Sequence, residues 1–516
     1  MIGQIELPIS AKIMRNTLFN SLGRFWTMGV AFLLTPYIIS KLGVQRFGVW
    51  SLVLAVTSYL GLFDLGFGVS VVKYISEYDA KEEHHTINSL VSTGFLFQLI
   101  LASAIIALIW AFRDPVLHLF RVSPETYGEA RFVLLIAAAV LAFSNTFGVF
   151  RAIMDGLQRM DVTNLITVAT SVPNIIGTVV WLELGYGLRG LVINQAIIFM
   201  LATISLAVYT HKLLPQFRLS PRFLSLAGLR ELLGYGVKVQ VTNLGALVNL
   251  QTNKILVGHF LGLGLVAFYE LGFKIAYTVI SLPMLLISAV IPAASELGAK
   301  GDKERLHELY RRGSKYLVLL AAPLAFFTIS SARSIMQAWM GAGYERSVLV
   351  IQLLTLGFFI NLLTGVGTTM GRGIGRPEYE TRYALVTMTL HPALGILLIL
   401  WIGFVGALVA SVLAIAIGYV YFMTLFHQYL GEPFHKFARE MYVKPLGAGL
   451  LASLSCYLFQ WLMGLFFLSP DRWNYALSLV LAGAIFAVVY LAVLWWSGWL
   501  HAADWRLLFR EHSWRV

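Results

Sequence analysis

The sequence predicts an all-α polytopic membrane protein of about 14 transmembrane helices, arranged as two six-helix bundles related by a repeat plus two C-terminal helices. Three observations lead to this fold class. Of the 516 residues, 58% are apolar and only 12% are charged, about half the charged fraction of a soluble domain. Fourteen apolar runs reach the roughly 20 residues that a helix needs to cross a bilayer. A weak internal repeat divides these runs into two halves.

The first predicted span covers about residues 17 to 40. Lys12 and Arg15 precede it as the basic region of a signal peptide would, but the run is too long for one and no small-residue cleavage site follows. We therefore expect a retained first helix. The other spans are predicted at about 47–70, 89–112, 131–153, 162–184, 190–213, 232–259, 264–292, 314–333, 347–370, 380–401, 404–427, 443–468 and 474–497.

The repeat lies in the connectors that follow spans 1 and 7. A shift of 219 positions (262 minus 43) places Leu261-Gly262 over Leu42-Gly43, and Leu271 over Leu52. Both copies open a group of six apolar runs, as in transporters built from two related halves. The pattern predicts an N-terminal six-helix bundle (1–214), a cytoplasmic linker (215–231), a C-terminal six-helix bundle (232–428), and two additional helices with a cytoplasmic tail (429–516).

The positive charges predict the orientation. With the N-terminus inside, the inner segments hold 25 of the 38 Lys and Arg residues and the outer loops hold 9. Because positively charged loops remain in the cytoplasm, we expect both termini there, in a bacterial inner membrane. The net charge of +12 is thus explained by the Lys and Arg residues of the cytoplasmic segments, and we expect no nucleic-acid partner. The remaining four cations lie inside predicted spans: Arg24, Lys238, Lys254 and Lys274.

These four cations are the candidate substrate-binding residues of a cationic cavity. Each charge near the bilayer centre costs about 2.5 to 3.5 kcal/mol on insertion scales. Four of them cost about as much as the whole stability of a domain, so they must face water, a counter-ion or an anionic ligand. Two alternatives stay open. Arg24 could extend to the cytoplasmic surface, and Lys274 could pair with Glu270 one helical turn earlier.

Polar residues at helical spacing predict the lining of this cavity. Span 7 is polar on two faces, which lipid would not tolerate. Stripes of Ser, Thr and Asn also hold membrane helices together by hydrogen bonds, so that alternative stays open. The predicted lining residues are Asn20, Thr27, Asn243, Asn249, Asn253, Glu270 and Asn361.

Asp64 and Lys73 are the candidate gate residues. Asp64 is the only carboxylate well inside the spans of the first half, and Lys73 follows nine residues later. Because span 2 runs inward, Asp64 approaches the cytoplasmic face, where it could pair with a cation of another helix. The alternative is a carboxylate that merely caps the helix near the membrane interface.

No catalytic or metal-binding pattern stands out in the sequence. Cys456 is the only cysteine, which excludes an intrachain disulfide and a cysteine metal cluster. His84-His85 is predicted to lie in a solvated turn. The glycine-rich run 371–377 follows no strand, so we interpret it as a turn and not a phosphate loop. We expect no enzyme activity, no metal and no cofactor, and the sequence leaves open whether H⁺ or Na⁺ is a coupling ion.

Several segments follow one another along the chain in a recognisable order and spacing. They are Leu42-Gly43 through Phe47-Gly48, Asp64-Leu65-Gly66 with Lys73, Asn253 through Gly258 followed by Leu261-Gly262 and Tyr269, and Ile291-Pro292-Ala293. In this order and spacing the sequence resembles the polysaccharide transport family (Wzx-type oligosaccharide flippases) of the multidrug/oligosaccharidyl-lipid/polysaccharide exporter superfamily, which includes the lipid II flippase. The resemblance covers essentially the whole chain. At one position many relatives have Asp where this chain has Asn253, which leaves open any ion coupling through that carboxylate.

This resemblance implies two six-helix bundles facing each other around a cationic cavity. It implies a flippase that moves a polyprenyl-diphosphate-linked oligosaccharide from the inner to the outer leaflet by alternating access, for cell-surface polysaccharide biosynthesis. The expected partners are that substrate, membrane lipids and proteins of polysaccharide synthesis or polymerisation. Two alternatives stay open. A multidrug or metabolite antiporter of the same superfamily would need carboxylates in the cavity. A membrane-embedded glycosyltransferase or polysaccharide polymerase would need a large outer loop with acidic residues.

Overall fold

The computed structural model describes residues 9–284, 287, 290–466 and 471–500, and within them not the side chains of 9–22, 24, 238, 239, 241, 242, 465 and 466. The regular elements of this part of the chain are helices, which confirms the predicted all-α class. They are α1 (Ile9–Leu60), α2 (Phe67–Ala80), α3 (His84–Leu119), α4 (Pro124–Phe147), α5 (Val149–Gly156), α6 (Met160–Glu183), α7 (Gly187–Leu213), α8 (Leu226–Leu261), α9 (Leu263–Ser281), α10 (Val290–Ala299), α11 (Lys303–Ser330), α12 (Ala332–Trp339), α13 (Glu345–Leu363), α14 (Gly365–Gly373), α15 (Glu378–Leu430), α16 (Phe434–Met441), α17 (Val443–Phe466) and α18 (Arg472–Trp496).

In the described chain, 11 helical segments are long and apolar enough to cross a membrane. Two of them contain a break in the backbone, at Gly43 in α1 and at Ile402-Gly403 in α15, and each break separates two predicted spans. Helix α8 is not among the 11, although its 36 residues extend over about 54 Å at 1.5 Å per residue. With the two broken helices divided and α8 added, the structure is consistent with fourteen spans.

The predicted repeat is visible in the bounds of the helices. Helix α3 begins at His84 and α11 begins at Lys303, 219 positions later, and α2 and α10 end 219 positions apart. The same shift relates Gly43 (φ 79°, ψ 163°) to Gly262 (φ 96°, ψ 166°), which adopt nearly the same conformation. That region of φ and ψ is open essentially to glycine alone. The two repeated groups of helices are thus a property of the backbone as well as of the sequence.

Predicted span 2 is broken in the structure near its inner end. Helix α1 ends at Leu60, a 3-10 turn covers Gly61–Asp64, and α2 begins at Phe67. Leu65 has the left-handed φ of 53°, which is uncommon for a residue with a side chain. Two backbone carbonyls at the break accept hydrogen bonds from side-chain amides, and that of Leu62 also accepts one from the backbone N–H of Leu65 at 3.1 Å. Gln240 Nε2 donates to Leu62 O at 2.9 Å, and Gln98 Nε2 donates to Asp64 O at 3.0 Å.

By packing, the chain divides into two compact units, Met1–Ala267 and Phe268–Val516. Helix α8 therefore packs in the first unit, although the shift of 219 makes it the counterpart of the first part of α1. Its hydrogen bonds give the reason. Besides the bond from Gln240, the backbone oxygen of Leu232 accepts a bond from Ser70 Oγ of α2 at 2.8 Å. The two units are defined by packing, whereas the predicted bundles are defined by the sequence repeat. The bounds predicted for the bundles and the linker therefore stay a prediction.

Helices α2 and α8 approach each other at two glycines. A Cβ on Gly66 would lie 2.2 Å from the backbone oxygen of Gly236, and a Cβ on Gly236 would lie 2.5 Å from the backbone oxygen of Leu65. Neither distance is sterically possible, so both positions require glycine while the helices remain this close. This glycine contact fixes the register of the first part of α8 against α2.

In the second unit the last two helices complete an apolar core. Buried side chains of α11, α15 and α16, such as Tyr310, Phe422 and Phe437, belong to the same core as Cys456 of α17. A small polar cluster lies inside this core, where Gln460 Nε2 donates to Ser331 Oγ at 2.8 Å. Helices α17 and α18 are therefore packed into the second unit.

We expect Gly236→Ala to lower the stability of the protein by about 1 to 3 kcal/mol, the usual cost of inserting atoms into packed space. The matched control is Gly234→Ala on the same helix, because a Cβ there meets no atom within 4 Å. The control should be neutral or slightly stabilising, since alanine favours helix more than glycine does. Thermal unfolding of the detergent-purified variants measures the difference, and equal melting temperatures would contradict the close contact.

Candidate functional site

The polar residues predicted on span 7 lie on α8, and three consecutive ones near its end are buried. Thr252, Asn253 and Lys254 are exposed by only 8%, 1% and 5%. The hydroxyl of Tyr59 on α1 lies 2.9 Å from Thr252 Oγ1, so this end of α8 contacts α1 through a hydrogen bond. Asn253 and Lys254 each interact with a partner. A buried ammonium is tolerated only where hydrogen bonds or negative charge compensate its lost hydration.

The earlier polar residues of α8 are more open than this buried end. Asn243 is exposed, and its Nδ2 donates to Gln240 Oε1 at 3.1 Å. Asn249 is half-buried and has a partner. Helix α8 thus changes from accessible polar groups near its middle to an enclosed lysine near its end.

The side chains of Arg24, Lys238 and Asn20 lie outside the described part of the structure, although their backbones belong to α1 and α8. Their predicted roles stay predictions. Thr27 of α1 is half-buried, and its Oγ1 donates to the backbone oxygen of Gly23 at 3.1 Å. Such a bond within one helix satisfies the hydroxyl as a donor and leaves its oxygen able to accept another bond.

Three predicted residues lie in the second unit. Glu270 and Lys274 are one turn apart on α9, both are half-buried, and neither is without a partner. Asn361 of α13 accepts a hydrogen bond from the hydroxyl of Tyr383 on α15. This contact is a hydrogen bond between two helices, as expected if the polar residues of the spans hold the helices together. The roles of these residues in binding stay predictions.

Asp64 ends the 3-10 turn at the break in span 2. Gln98 Nε2 of α3 donates to its Oδ1 at 2.8 Å, and the backbone N–H of Gly68 donates to its Oδ2 at 3.4 Å. Among the described residues its carboxylate therefore bonds an amide and a backbone N–H, and no ion pair joins it to Lys73. This geometry resembles the alternative in which Asp64 caps the helix near the membrane interface. The role of Asp64 as a gate residue stays a prediction.

Lys73 is exposed and lies between two aromatic rings. Its Nζ is 4.2 Å from the ring centroid of Tyr74 and 4.8 Å from that of Tyr235 on α8. Both distances are within the range of a cation–π interaction. The sequence pattern indicates Lys73 but not the tyrosines, because the contact with Tyr235 depends on how α8 packs against α2. The adjacent Lys-Tyr pair is the one local signal that could have indicated an aromatic environment.

A cavity of about 350 Å³ lies within the first unit between α4, α6 and α7. Arg151, Asn174 and Gln195 contribute polar groups to its wall, and Phe147 and Phe199 contribute rings. Thr163, Thr167 and Thr170 of α6, which is predicted span 5, form part of this wall, and each donates a hydrogen bond to a backbone oxygen of its own helix. Thr167 Oγ1, for example, donates to the backbone oxygen of the residue four positions earlier at 2.8 Å.

The part of the chain that the structure describes brings together no three His, Cys, Asp or Glu side chains that could hold a metal ion. Charged pairs there are mostly local or lie at helix ends, such as Lys41 with Glu183 at 2.8 Å. The candidate residues described above carry ammonium, amide, hydroxyl and carboxylate groups, and their role in binding stays a prediction.

Comparison with known proteins adds two matches to family models. A model described as polysaccharide biosynthesis protein matches residues 13–298, which is more than half of the chain. A model described as MatE matches residues 251–397. The first match includes α8, with its polar residues, and most of the helices of the first unit.

Individual proteins are similar over most of the chain. A putative O-antigen transporter of Shigella flexneri is 19% identical over 77% of this chain and 94% of its own length. The probable low-salt glycan biosynthesis flippase Agl15 of Haloferax volcanii is 24% identical over 76% of this chain and 79% of its own. A solved structure of the lipid II flippase MurJ, in an inward closed conformation, matches with a TM-score of 0.69 and 17% identity, over 96% of this chain and 100% of that one.

We expect Gln98→Leu to destabilise the protein by about 1 to 3 kcal/mol, because it leaves a partly buried carboxylate and a carbonyl at the break without their amide donor. Asp64→Asn should cost less, since the side-chain oxygen of asparagine still accepts the Gln98 bond. Thermal unfolding of the purified variants tests both. Wild-type stability of Gln98→Leu would contradict an anchoring role for this contact.

Proposed function

This chain belongs to the polysaccharide biosynthesis protein family, and we propose that it is a flippase for a polyprenyl-diphosphate-linked oligosaccharide. The family match and the relatives confirm the resemblance drawn from the sequence. The chain is a multi-pass membrane protein, and its relatives and structural neighbours are transporters and flippases, so it is a transporter and not an enzyme.

The observation that carries this proposal is the enclosed lysine on α8. Lys254 is 5% exposed and follows the buried Thr252 and Asn253 in a chain with the fold of a lipid-linked precursor flippase. A lysine in such a place is costly unless it serves a ligand or a structural partner. In our proposal the anionic cargo interacts with this buried positive charge in addition to the partner that Lys254 has within the chain.

In our proposal Arg24, Lys238, Lys254 and Lys274 receive the diphosphate while the lipid tail stays in the bilayer. A unit charge pair about 4 Å apart is worth about 4 kcal/mol at an effective dielectric near 20. Several such pairs offset the cost of taking a diphosphate from the aqueous surface. The same charges would repel a cationic drug.

The polar residues of the spans would contact the sugars. Amides and hydroxyls both donate and accept hydrogen bonds, as sugar hydroxyls do. We propose this role for Asn20, Thr27, Asn243, Asn249, Asn253, Glu270 and Asn361. We further propose that the cargo crosses by alternating access, from the inner to the outer leaflet, with Asp64 and Lys73 near the inner gate.

The setting proposed for this transport is the bacterial inner membrane, with both termini in the cytoplasm. The excess of Lys and Arg in the inner segments supports this orientation. The cargo would serve cell-surface polysaccharide biosynthesis, in line with the glycan-related names of the relatives. Proteins that synthesise or polymerise the glycan are the proposed protein partners, and a coupling ion, H⁺ or Na⁺, is compatible with the proposal.

A second candidate function is a drug or metabolite antiporter. The match of residues 251–397 to the MatE model favours it. Against it stands the charge of predicted span 7 (232–259), which carries Lys238 and Lys254 and no Asp or Glu. An assay that measures the export of cationic dyes separates the two functions, because only the antiporter should export them.

We expect Lys254→Gln to reduce transport of a fluorescent lipid-linked oligosaccharide by about tenfold or more, the loss that follows from one charge-assisted hydrogen bond. The assay reconstitutes the protein in vesicles and measures how much of the lipid is accessible in the outer leaflet. Lys436→Gln is the control, because Lys436 is exposed on the short helix α16.

Full transport by Lys254→Gln would remove this lysine from the mechanism. If the wild-type protein moves no lipid-linked oligosaccharide in any vesicle composition that supports its folding, the proposed function itself is wrong. Circular dichroism and size-exclusion profiles of each variant show whether a loss of transport reflects a loss of structure.

A further inference from the structure

The most unusual cation in the described chain is Lys73 of α2, because aromatic rings surround it where a carboxylate would be usual. Its Nζ lies 4.2 Å from the Tyr74 centroid and 4.8 Å from the Tyr235 centroid. Tyr78 stacks on Tyr74 with centroids 6.2 Å apart, and Tyr235 meets Tyr74 edge-on at 6.4 Å. We call Lys73 with Tyr74, Tyr78 and Tyr235 the tyrosine-flanked lysine.

The carboxylates near this lysine are bonded to other groups. Glu77, one turn along α2, accepts from Lys81 Nζ at 2.8 Å, and that hydrogen bond lowers the pKa of Glu77. Glu231 of α8 accepts from the hydroxyl of Tyr78 at 3.0 Å. Burial, helped by Glu231, raises the pKa of Tyr78 to about 12, so that hydroxyl remains a donor near neutral pH. Among the described residues, Lys73 therefore forms no ion pair.

The backbone around the tyrosine-flanked lysine is held in place. Gly66 and Gly236 bring α2 and α8 into direct backbone contact, and Ser70 Oγ donates to Leu232 O at 2.8 Å. Tyr235 directly precedes the contacting glycine, so its ring is positioned by the same contact. A cation between rings on two such helices is preorganised, which reduces the entropy lost when it binds a ligand.

We propose that the tyrosine-flanked lysine is a receiving site for the phosphate groups of a lipid headgroup. The proposal rests on the flippase function and deepens it, because the intended ligand is the diphosphate of the lipid-linked oligosaccharide. A cation–π contact orients an ammonium without cancelling its charge, so Lys73 keeps N–H donors for phosphate oxygens. Lysine binds phosphate as a point charge and tolerates several ligand orientations, which suits a first encounter.

The position of this site along the chain fits an early step of transport. Lys73 lies in one of the positively charged inner segments, where the sequence predicts the cytoplasmic side. Lys238 follows Tyr235 by three residues on α8, which is nearly one helical turn. The next candidate cation, Lys254, lies further along the same helix. The cations of α8 would then succeed Lys73 along the path of the diphosphate.

Two sources in the inner leaflet carry this headgroup chemistry, namely the diphosphate of the substrate and the single phosphate of a bulk anionic phospholipid. Binding experiments on the full-length protein in detergent separate them. The probes are a short-chain prenyl diphosphate and a short-chain phosphatidylglycerol, each titrated at two salt concentrations. The variants are Lys73→Gln, Lys73→Arg and Tyr235→Leu.

We expect Lys73→Gln to weaken binding of the prenyl diphosphate by about tenfold or more and to reduce the salt dependence, because one charge-assisted bond is lost. Lys73→Arg should retain most of the affinity, and Tyr235→Leu should lose part of it. Lys212→Gln is the matched control. Lys212 is also exposed and also beside a tyrosine ring, with its Nζ 5.7 Å from the centroid of Tyr209, but it has one ring where Lys73 has two.

Equal diphosphate affinity in the wild type and Lys73→Gln would overturn the site while leaving the flippase function intact, since wild-type binding would remain. An equal, Lys73-dependent affinity for both probes would support phosphate recognition and assign the site to bulk lipid. Absence of diphosphate binding in the wild type would overturn the site. The vesicle assay on wild-type protein then decides separately whether the flippase function stands.

Discussion

The cost of leaving a polar group without a partner inside a membrane governs the structure of this protein. Lipid offers no hydrogen bonds, so each carbonyl, amide and charge within the spans needs a partner from the chain, from water in a cavity or from a ligand. The hydroxyls of α6 meet this requirement within their own helix, as Thr167 does. Where the backbone of span 2 is broken, the amide side chains of Gln240 and Gln98 donate hydrogen bonds to two of its carbonyls.

This break connects the fold to the candidate site. Gln240 of α8 and Gln98 of α3 bond the carbonyls of Leu62 and Asp64, so α8 and α3 are both attached to the break. The glycine contact between α2 and α8 adds a second attachment next to it. Helix α8 carries Lys238, Lys254 and three of the seven polar residues proposed to contact the sugars, Asn243, Asn249 and Asn253. An irregularity in the backbone therefore positions the helix on which the proposed function depends.

Several features could be predicted from the sequence because they depend on local composition. Apolar length predicts spans, and a shift of 219 predicts that Gly43 and Gly262 play the same structural role, which their backbone angles confirm. The cost of burying charge indicated Lys254 as a candidate; its side chain is buried in the structure, and its role in binding stays a prediction. The break at Leu65 could not be predicted, because hydropathy responds to the apolar character of a residue and not to its backbone angles.

The sequence by itself determined the membrane class, the two repeated groups of helices and the cations within the spans, because each of these follows from residue type and spacing along one segment. Only the tertiary structure decided that α8 packs in the first unit, that the carboxylate of Asp64 bonds Gln98, and that Lys73 lies between Tyr74 and Tyr235. The physical reason is that a polar group in a medium of low dielectric must bond a group that reaches it. Which group does so depends on helices distant in the sequence.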